Sequence, residues 1–121
     1  MDILILGSNQ NRRDDLEEWI RECLDDAEME AKIVNCPEPR ETITYERPAP
    51  PSATFIVIDG ESALLYARVV ESWGDGYPMV MAATHPQYAI EGIRRKVKHY
   101  ILFPLEEKDI REALVRTGVM K

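Results

Sequence analysis

Short runs of consecutive apolar residues recur along the chain, and a polar or glycine-containing segment follows each of them. The two strongest are Ile3–Leu6 and Phe55–Ile58. Continuous apolar runs rich in β-branched residues are typical of strands buried on both faces, as in a parallel sheet. Further runs at 31–36, 78–83 and 100–103 have a similar character. The pattern therefore predicts five strands.

Between the strands, apolar residues recur every three or four positions, as on the buried face of an amphipathic helix. The first such stripe consists of Leu16, Trp19, Ile20, Cys23, Leu24 and Ala27. We expect Asp14, Asp15 and Glu17 in or near the first turn of this helix, where carboxylates interact favourably with the helix dipole. Later stripes predict helices over 61–73, from Pro86 to Lys98 and from Glu106 onward.

The segment 37–53 interrupts the alternation, because five prolines fall within it: Pro37, Pro39, Pro48, Pro50 and Pro51. Proline breaks helices and central strands, so at most one helical turn, around Glu41 to Tyr45, fits there. We expect an irregular surface segment. A linker between domains is the competing interpretation, but the 36 residues before it are too few for an ordinary independent domain.

Strands that alternate with helices indicate one α/β domain over residues 1–121, with a parallel sheet, helices on both faces and right-handed crossovers. The net charge of −7 argues against tight nucleic-acid binding by this domain. No apolar run approaches the roughly 20 residues that span a bilayer, and no basic region precedes the first one. We expect a cytoplasmic protein without membrane contact, in which Cys23 and Cys36 are reduced.

Function in such a sheet is expected where the carboxyl ends of the strands meet. The residues there are Gly7-Ser8, Asp59, Ala83-Thr84 and Phe103-Pro104. This arrangement resembles the receiver domain of two-component response regulators, a flavodoxin-like fold. The resemblance implies strand order 2-1-3-4-5 and an acceptor aspartate at Asp59, while the prolines of 37–53 leave the second helix short or missing.

The C-terminal third carries the most specific part of this resemblance. Residues 83–92 and 99–104 are similar to receivers that precede LytTR-type DNA-binding domains, with a Thr-Ala-His, a Tyr-Ala and an Asp-Tyr-Leu-Leu-Lys-Pro pattern. The matching residues are His85, Tyr88, Ala89, Glu91, Tyr100, Leu102 and Pro104. The resemblance implies a place in bacterial signal transduction or transcriptional regulation.

The departures from the family pattern define a degenerate pocket. Gly7 and Ser8 stand where the family has two acidic residues that bind Mg²⁺. Ala83 replaces its hydroxyl residue, with Thr84 one place later, and Phe103 replaces its lysine. We therefore expect no cofactor and no catalysis, with Asp59 not phosphorylated.

The resemblance also implies a protein partner or a homodimer, formed through the helix after the fourth strand, the fifth strand and the last helix. Tyr100 stands at the family's aromatic switch position, and Tyr88, Arg94, Arg95 and Lys98 lie nearby in sequence. Two alternatives stay open. One is a working phosphoacceptor with Asp59 and Mg²⁺, and the other is a flavodoxin-like protein that binds a small ligand.

Overall fold

Five parallel strands form one sheet in the order β2-β1-β3-β4-β5. This computed structural model describes residues 1–36, 51–73, 77–94 and 97–121. The strands are β1 Asp2–Leu6, β2 Lys32–Cys36, β3 Ala53–Ile58, β4 Met79–Ala83 and β5 His99–Leu102. The predicted fold class and strand order are confirmed.

The described helices follow the strands and cover both faces of the sheet. They are α1 Gln10–Asp26, α2 Leu64–Glu71, α3 Ala89–Arg94 and α4 Glu107–Arg116. Single 3₁₀ turns, Glu61–Ala63 and Pro86–Tyr88, precede α2 and α3. The prediction of a short or missing second helix falls on 37–50, outside the described residues, as does the predicted role of Arg95.

Two apolar layers hold the sheet between the helices. Alternate residues of the central strands point to opposite faces. On one face Ile3, Ile5 and Phe55 pack with α1 and α4, and on the other Leu4 and Ile56 pack with α2. Every residue of β3 is buried, as the continuous apolar run predicts.

The strand register brings the functional positions together. Leu6 pairs with Ile56, Ile58 with Ala83, and Ala83 with Leu102. Because all the strands are parallel, the residues that follow them lie along one side of the sheet, which we call the carboxyl edge. None of the described helices is long and apolar enough to cross a membrane.

Candidate functional site

Asp59 follows β3 at the centre of the carboxyl edge and is half-buried. Within the described residues its carboxylate makes no hydrogen bond or ion pair. A helix-capping role is an ordinary one for an aspartate at such a position. However, the cap of the following 3₁₀ turn is Gly60, and no side chain makes a cap hydrogen bond there. The carboxylate of Asp59 is thus accessible and has no structural task within the described part of the chain.

Gly7, directly after β1, has no room for a side chain. A Cβ at this position would lie 2.9 Å from the Cβ of Val57, and the φ angle is +151°. L-residues with a side chain rarely adopt this backbone conformation. Glycine is therefore required here by both conformation and space, and a carboxylate could not be placed at position 7 without movement of β3.

The first helix begins earlier than the apolar stripe predicts. The Asn9 side chain accepts a hydrogen bond from the Arg12 backbone N–H at 3.1 Å and caps α1, while Ser8 is exposed. The first turn contains no acidic residue and carries Arg12 and Arg13 instead. The prediction of carboxylates in this turn is wrong, because an N-cap asparagine starts the helix before its first apolar residue.

Arg13 is a buried cation, only 5% exposed. Its Nη1 donates to the carbonyl oxygen of Gly7 at 3.0 Å, and its Nε donates to Asn35 Oδ1 at 2.9 Å. The Asn35 Nδ2 in turn donates to Asp14 Oδ1 and to Glu17 Oε1, each at 3.1 Å. A chain of polar contacts thus runs from the end of β1 through β2 to the outer face of α1.

Phe103 follows β5 and is buried at 7% exposure beneath the guanidinium of Arg12. The Arg12 Cζ lies 4.8 Å from the centre of the phenyl ring, within the range of a cation–π contact. Phe103 therefore brings no charge of its own to the carboxyl edge, and it holds the guanidinium of Arg12 there instead.

The β4 end is tied to its neighbours through the backbone. Ala83 is fully buried, its carbonyl oxygen accepts from Phe103 N at 2.9 Å, and Thr84 N donates to Ile58 O at 3.0 Å. The Thr84 hydroxyl forms a 2.8 Å hydrogen bond with Nδ1 of His85. Thr84 is half-buried, and its hydroxyl is already hydrogen-bonded to a neighbouring side chain.

Tyr100 joins β5 to the loop after β4. Its hydroxyl donates to the carbonyl oxygen of His85 at 2.8 Å, and burial raises the pKa of this phenol. The ring packs against the apolar layer beneath α2, as does Tyr88, whose ring meets His85 edge-on. The two predicted aromatic residues therefore both contact His85 in the loop after β4.

The two described basic residues of the predicted interaction surface, Arg94 and Lys98, are exposed. Close by, His99 lies on β5 with Nε2 3.9 Å from Glu112 Oε2. Burial lowers the pKa of His99, while the Glu112 carboxylate acts in the opposite direction. These residues form a charged margin on β5 and its flanking helices, away from the Gly7 side of the carboxyl edge.

Arg12, Arg13 and Asn35 are the site residues that the sequence analysis missed. A signal for the two arginines was available, since Asn9 is a good N-cap and places both in the first turn of the helix. No sequence signal reveals the burial of Arg13, because its partner Asn35 lies on β2, 22 residues away in the chain.

Solved structures with this fold include response-regulator receivers and putative pilus assembly proteins. A receiver protein from Pseudoalteromonas atlantica matches with a TM-score of 0.77 over 99% of this chain and 100% of its own, at 12% identity. The response regulator TrrA of Thermotoga maritima, solved in complex with Mg²⁺-BeF, has a TM-score of 0.74, with 96% and 97% of the chains covered and 14% identity.

The bacteriophytochrome response regulator AtBRR matches with a TM-score of 0.70 at 19% identity, over 99% of this chain and 94% of its own. Neither a protein-family model nor a curated protein matches the sequence. The chain therefore has the receiver fold. Because the sequence identities are only 12–19%, these matches show the fold and not the function.

Proposed function

We propose that this protein is a degenerate receiver that acts without phosphorylation. It serves as a protein-interaction module in bacterial signal transduction or transcriptional control and is not an enzyme. The observation that carries the proposal is the filling of the carboxyl edge: Gly7 abuts Val57, Arg13 is buried against the Gly7 carbonyl, and Arg12 covers Phe103.

The residues at the carboxyl edge do not fit a magnesium ion. Mg²⁺ demands near-octahedral oxygen ligands and is usually held by one or two carboxylates with water and phosphate. No group of three or more His, Cys, Asp or Glu side chains in the described ranges could hold a metal. Asp59 is a carboxylate at a strand end, whereas position 7 cannot accept one and a buried guanidinium already lies beside it.

Phosphoryl transfer also needs donors aimed at the transferred oxygens. Catalysis of this reaction is almost entirely positioning and charge stabilisation, and the loss of one electrostatic donor from an oxyanion hole costs about 3–4 kcal/mol of barrier. Ala83 has no hydroxyl, and Phe103 has neither charge nor donor. Arg12 brings a charge, but its guanidinium lies over the phenyl ring. These replacements together support an inactive Asp59.

One observation favours the alternative, a working phosphoacceptor. Asp59 is accessible, and within the described residues its carboxylate has no partner. The two functions differ in one measurable property, which is the reaction of Asp59 with a small phosphodonor.

The test is incubation with acetyl phosphate and Mg²⁺, followed by intact-protein mass spectrometry. A receiver known to bind beryllofluoride is the positive control, and Asp59→Asn is the negative control. The proposal predicts no phosphoryl adduct under conditions that modify the positive control. A stoichiometric adduct that disappears in Asp59→Asn would establish the alternative.

We further propose that the partner surface comprises α3, β5 and α4 and that a second copy of the chain is one occupant. Apolar side chains are exposed along it: Ile90 at 58%, Val115 at 43% and Leu102 at 36%. Exposed charges of both signs belong to the same elements: Arg94 on α3, Lys98 just before β5 and Glu112 on α4. In a two-fold symmetric dimer the same surface of both copies is in contact, so positive residues of one copy can meet negative residues of the other.

Analytical ultracentrifugation of charge-insertion variants tests this surface. Leu102→Glu and Val115→Glu should convert a dimer into a monomer, because each buries a carboxylate in the contact. Leu65→Glu is the matched control, since Leu65 is 53% exposed on α2, outside the surface. A wild-type protein that is monomeric at high micromolar concentration would contradict the homodimer.

A further inference from the structure

The environment of Arg13 is unusual for a buried charge. Arg13 is 5% exposed, yet its hydrogen-bond acceptors among the described residues, Gly7 O and Asn35 Oδ1, are both neutral. A buried ion is tolerated only when its charge is compensated and its donors are satisfied. Two carboxylates further along the hydrogen-bonded series compensate the charge, because Asn35 connects Arg13 to Asp14 and Glu17.

We propose that Arg13 is a built-in cation that holds the carboxyl edge in one fixed arrangement, without metal or phosphate. The inference rests on the proposed function, since a receiver that needs neither ligand must hold this edge by other means. Arg13 is here a positioning residue. Its planar fork bridges the carboxyl ends of β1 and β2, which an apolar side chain could not do because it has no hydrogen-bond donors.

Asn35 is the necessary second member of this arrangement, and we call Arg13 and Asn35 together the lock. Asn35 faces a donor on one side and acceptors on the other, so its side chain must both accept and donate. An amide does this, whereas a carboxylate only accepts. The Glu17 carboxylate also accepts from Nε of Arg21 at 2.9 Å, which extends the alternation of charges to the exposed surface. The lock thereby connects the carboxyl edge to the outer face of α1.

Arg12 provides a control that is matched in several respects. Arg12 and Arg13 are neighbours in the first turn of α1, so the loss of either changes the net charge and the interaction with the helix dipole equally. They differ in their contacts, since Arg12 lies over Phe103 and Arg13 hydrogen-bonds to Gly7 and Asn35. An effect specific to Arg13→Ala is therefore an effect of the lock.

The experiment is hydrogen exchange of the purified chain, followed in the segments 4–9 and 33–36. Arg13→Ala should raise exchange in both segments on the order of tenfold, as expected when a net hydrogen bond of ordinary strength is lost. Arg12→Ala should raise exchange in these segments clearly less, because Arg12 makes no side-chain hydrogen bond to either of them in the described part of the chain. Millimolar methylguanidinium should restore protection in Arg13→Ala by occupying the vacated fork site, and methylammonium should not.

Equal exchange in the two alanine variants, or no difference between methylguanidinium and methylammonium, would overturn the lock. If Arg13→Ala does not fold, Arg13→Lys replaces it. A lysine keeps the charge without the fork, so both segments should still exchange faster, and wild-type exchange would refute the inference. If Asp59 is phosphorylated while the exchange results still support the lock, only the proposed function is wrong.

Discussion

A Cβ on Gly7 would lie 2.9 Å from the Cβ of Val57 on the neighbouring strand. This close approach follows from the register, since Leu6 pairs with Ile56 and the next residues along β1 and β3 are Gly7 and Val57. Under the proposed function, position 7 corresponds to a metal-binding carboxylate of receivers, and here it is backbone packed against an apolar side chain. Restoring the acidic residue would require the two strands to separate.

Alanine substitutions at three glycines should separate the two reasons for Gly7. Gly60 has φ −177° and open space, and Gly118 has φ +86° and open space, whereas Gly7 has both a positive φ and the Val57 contact. We expect Gly60→Ala to be nearly neutral, Gly118→Ala to cost about 1–2 kcal/mol, and Gly7→Ala about 3 kcal/mol or more. Urea unfolding measures the series.

If Gly7→Ala costs no more than Gly118→Ala, the contact with Val57 does not constrain position 7. The account of why the carboxylate is excluded would then be incorrect.

Restoring the family's lysine at position 103 should weaken the protein. Phe103→Lys buries an ammonium beneath the Arg12 guanidinium and loses the cation–π contact. We expect the loss of stability to be smaller in an Arg12→Met background, by about 1 kcal/mol. Phe103→Leu, which keeps an apolar side chain, is the control. Equal losses in both backgrounds would show that Arg12 and Phe103 are not coupled.

Thr54→Val should stabilise the fold. The Thr54 hydroxyl is fully buried and makes no hydrogen bond to any part of the chain that the structure describes. Valine has the same shape as threonine without the unsatisfied hydroxyl, so the free energy of unfolding should rise by about 1 kcal/mol or more. Thr117→Val is the control, because that hydroxyl donates to the Ala113 and Leu114 carbonyls. A destabilised Thr54→Val would reveal a partner for the hydroxyl.

The protein should become less stable as the pH decreases, because of His99. Burial lowers its pKa from 6.5, so the folded state binds the proton less readily than the unfolded chain does. The contribution of neutral His99 is present above pH 6.5 and is lost as the pH falls through the lowered pKa. His99→Gln should therefore lose less stability than wild type between pH 7.5 and about 5.5. Identical pH profiles would contradict this effect.

The sequence was sufficient for the elements whose signal is local. The apolar runs at Ile3–Leu6 and Phe55–Ile58 predict β1 and β3 because strands buried on both faces must be apolar throughout. The confirmed strand order came from the resemblance at the carboxyl ends. The start of α1 was misplaced because its first turn carries no apolar residue, although Asn9 supplied a usable signal.

The interior of the carboxyl edge was not predictable in the same way. The burial of Arg13 on α1 depends on Asn35 of β2, and the position of Arg12 depends on Phe103 from the far end of the chain. Such contacts follow from the packed fold and have no local pattern. The roles of Asp59, Tyr88 and Tyr100, and the LytTR-type partner domain, stay predictions.

The decisive measurement on the Asp59 pocket is titration with Mg²⁺ and beryllofluoride, followed by amide NMR shifts. Beryllofluoride with Mg²⁺ mimics a phosphorylated aspartate without needing a catalysed transfer, so it reports on the pocket alone. The account predicts no saturable shifts at Asp59 or Thr84 at concentrations that saturate a receiver such as TrrA. Saturable shifts at these residues that require both Mg²⁺ and beryllofluoride, and that vanish in Asp59→Asn, would contradict it.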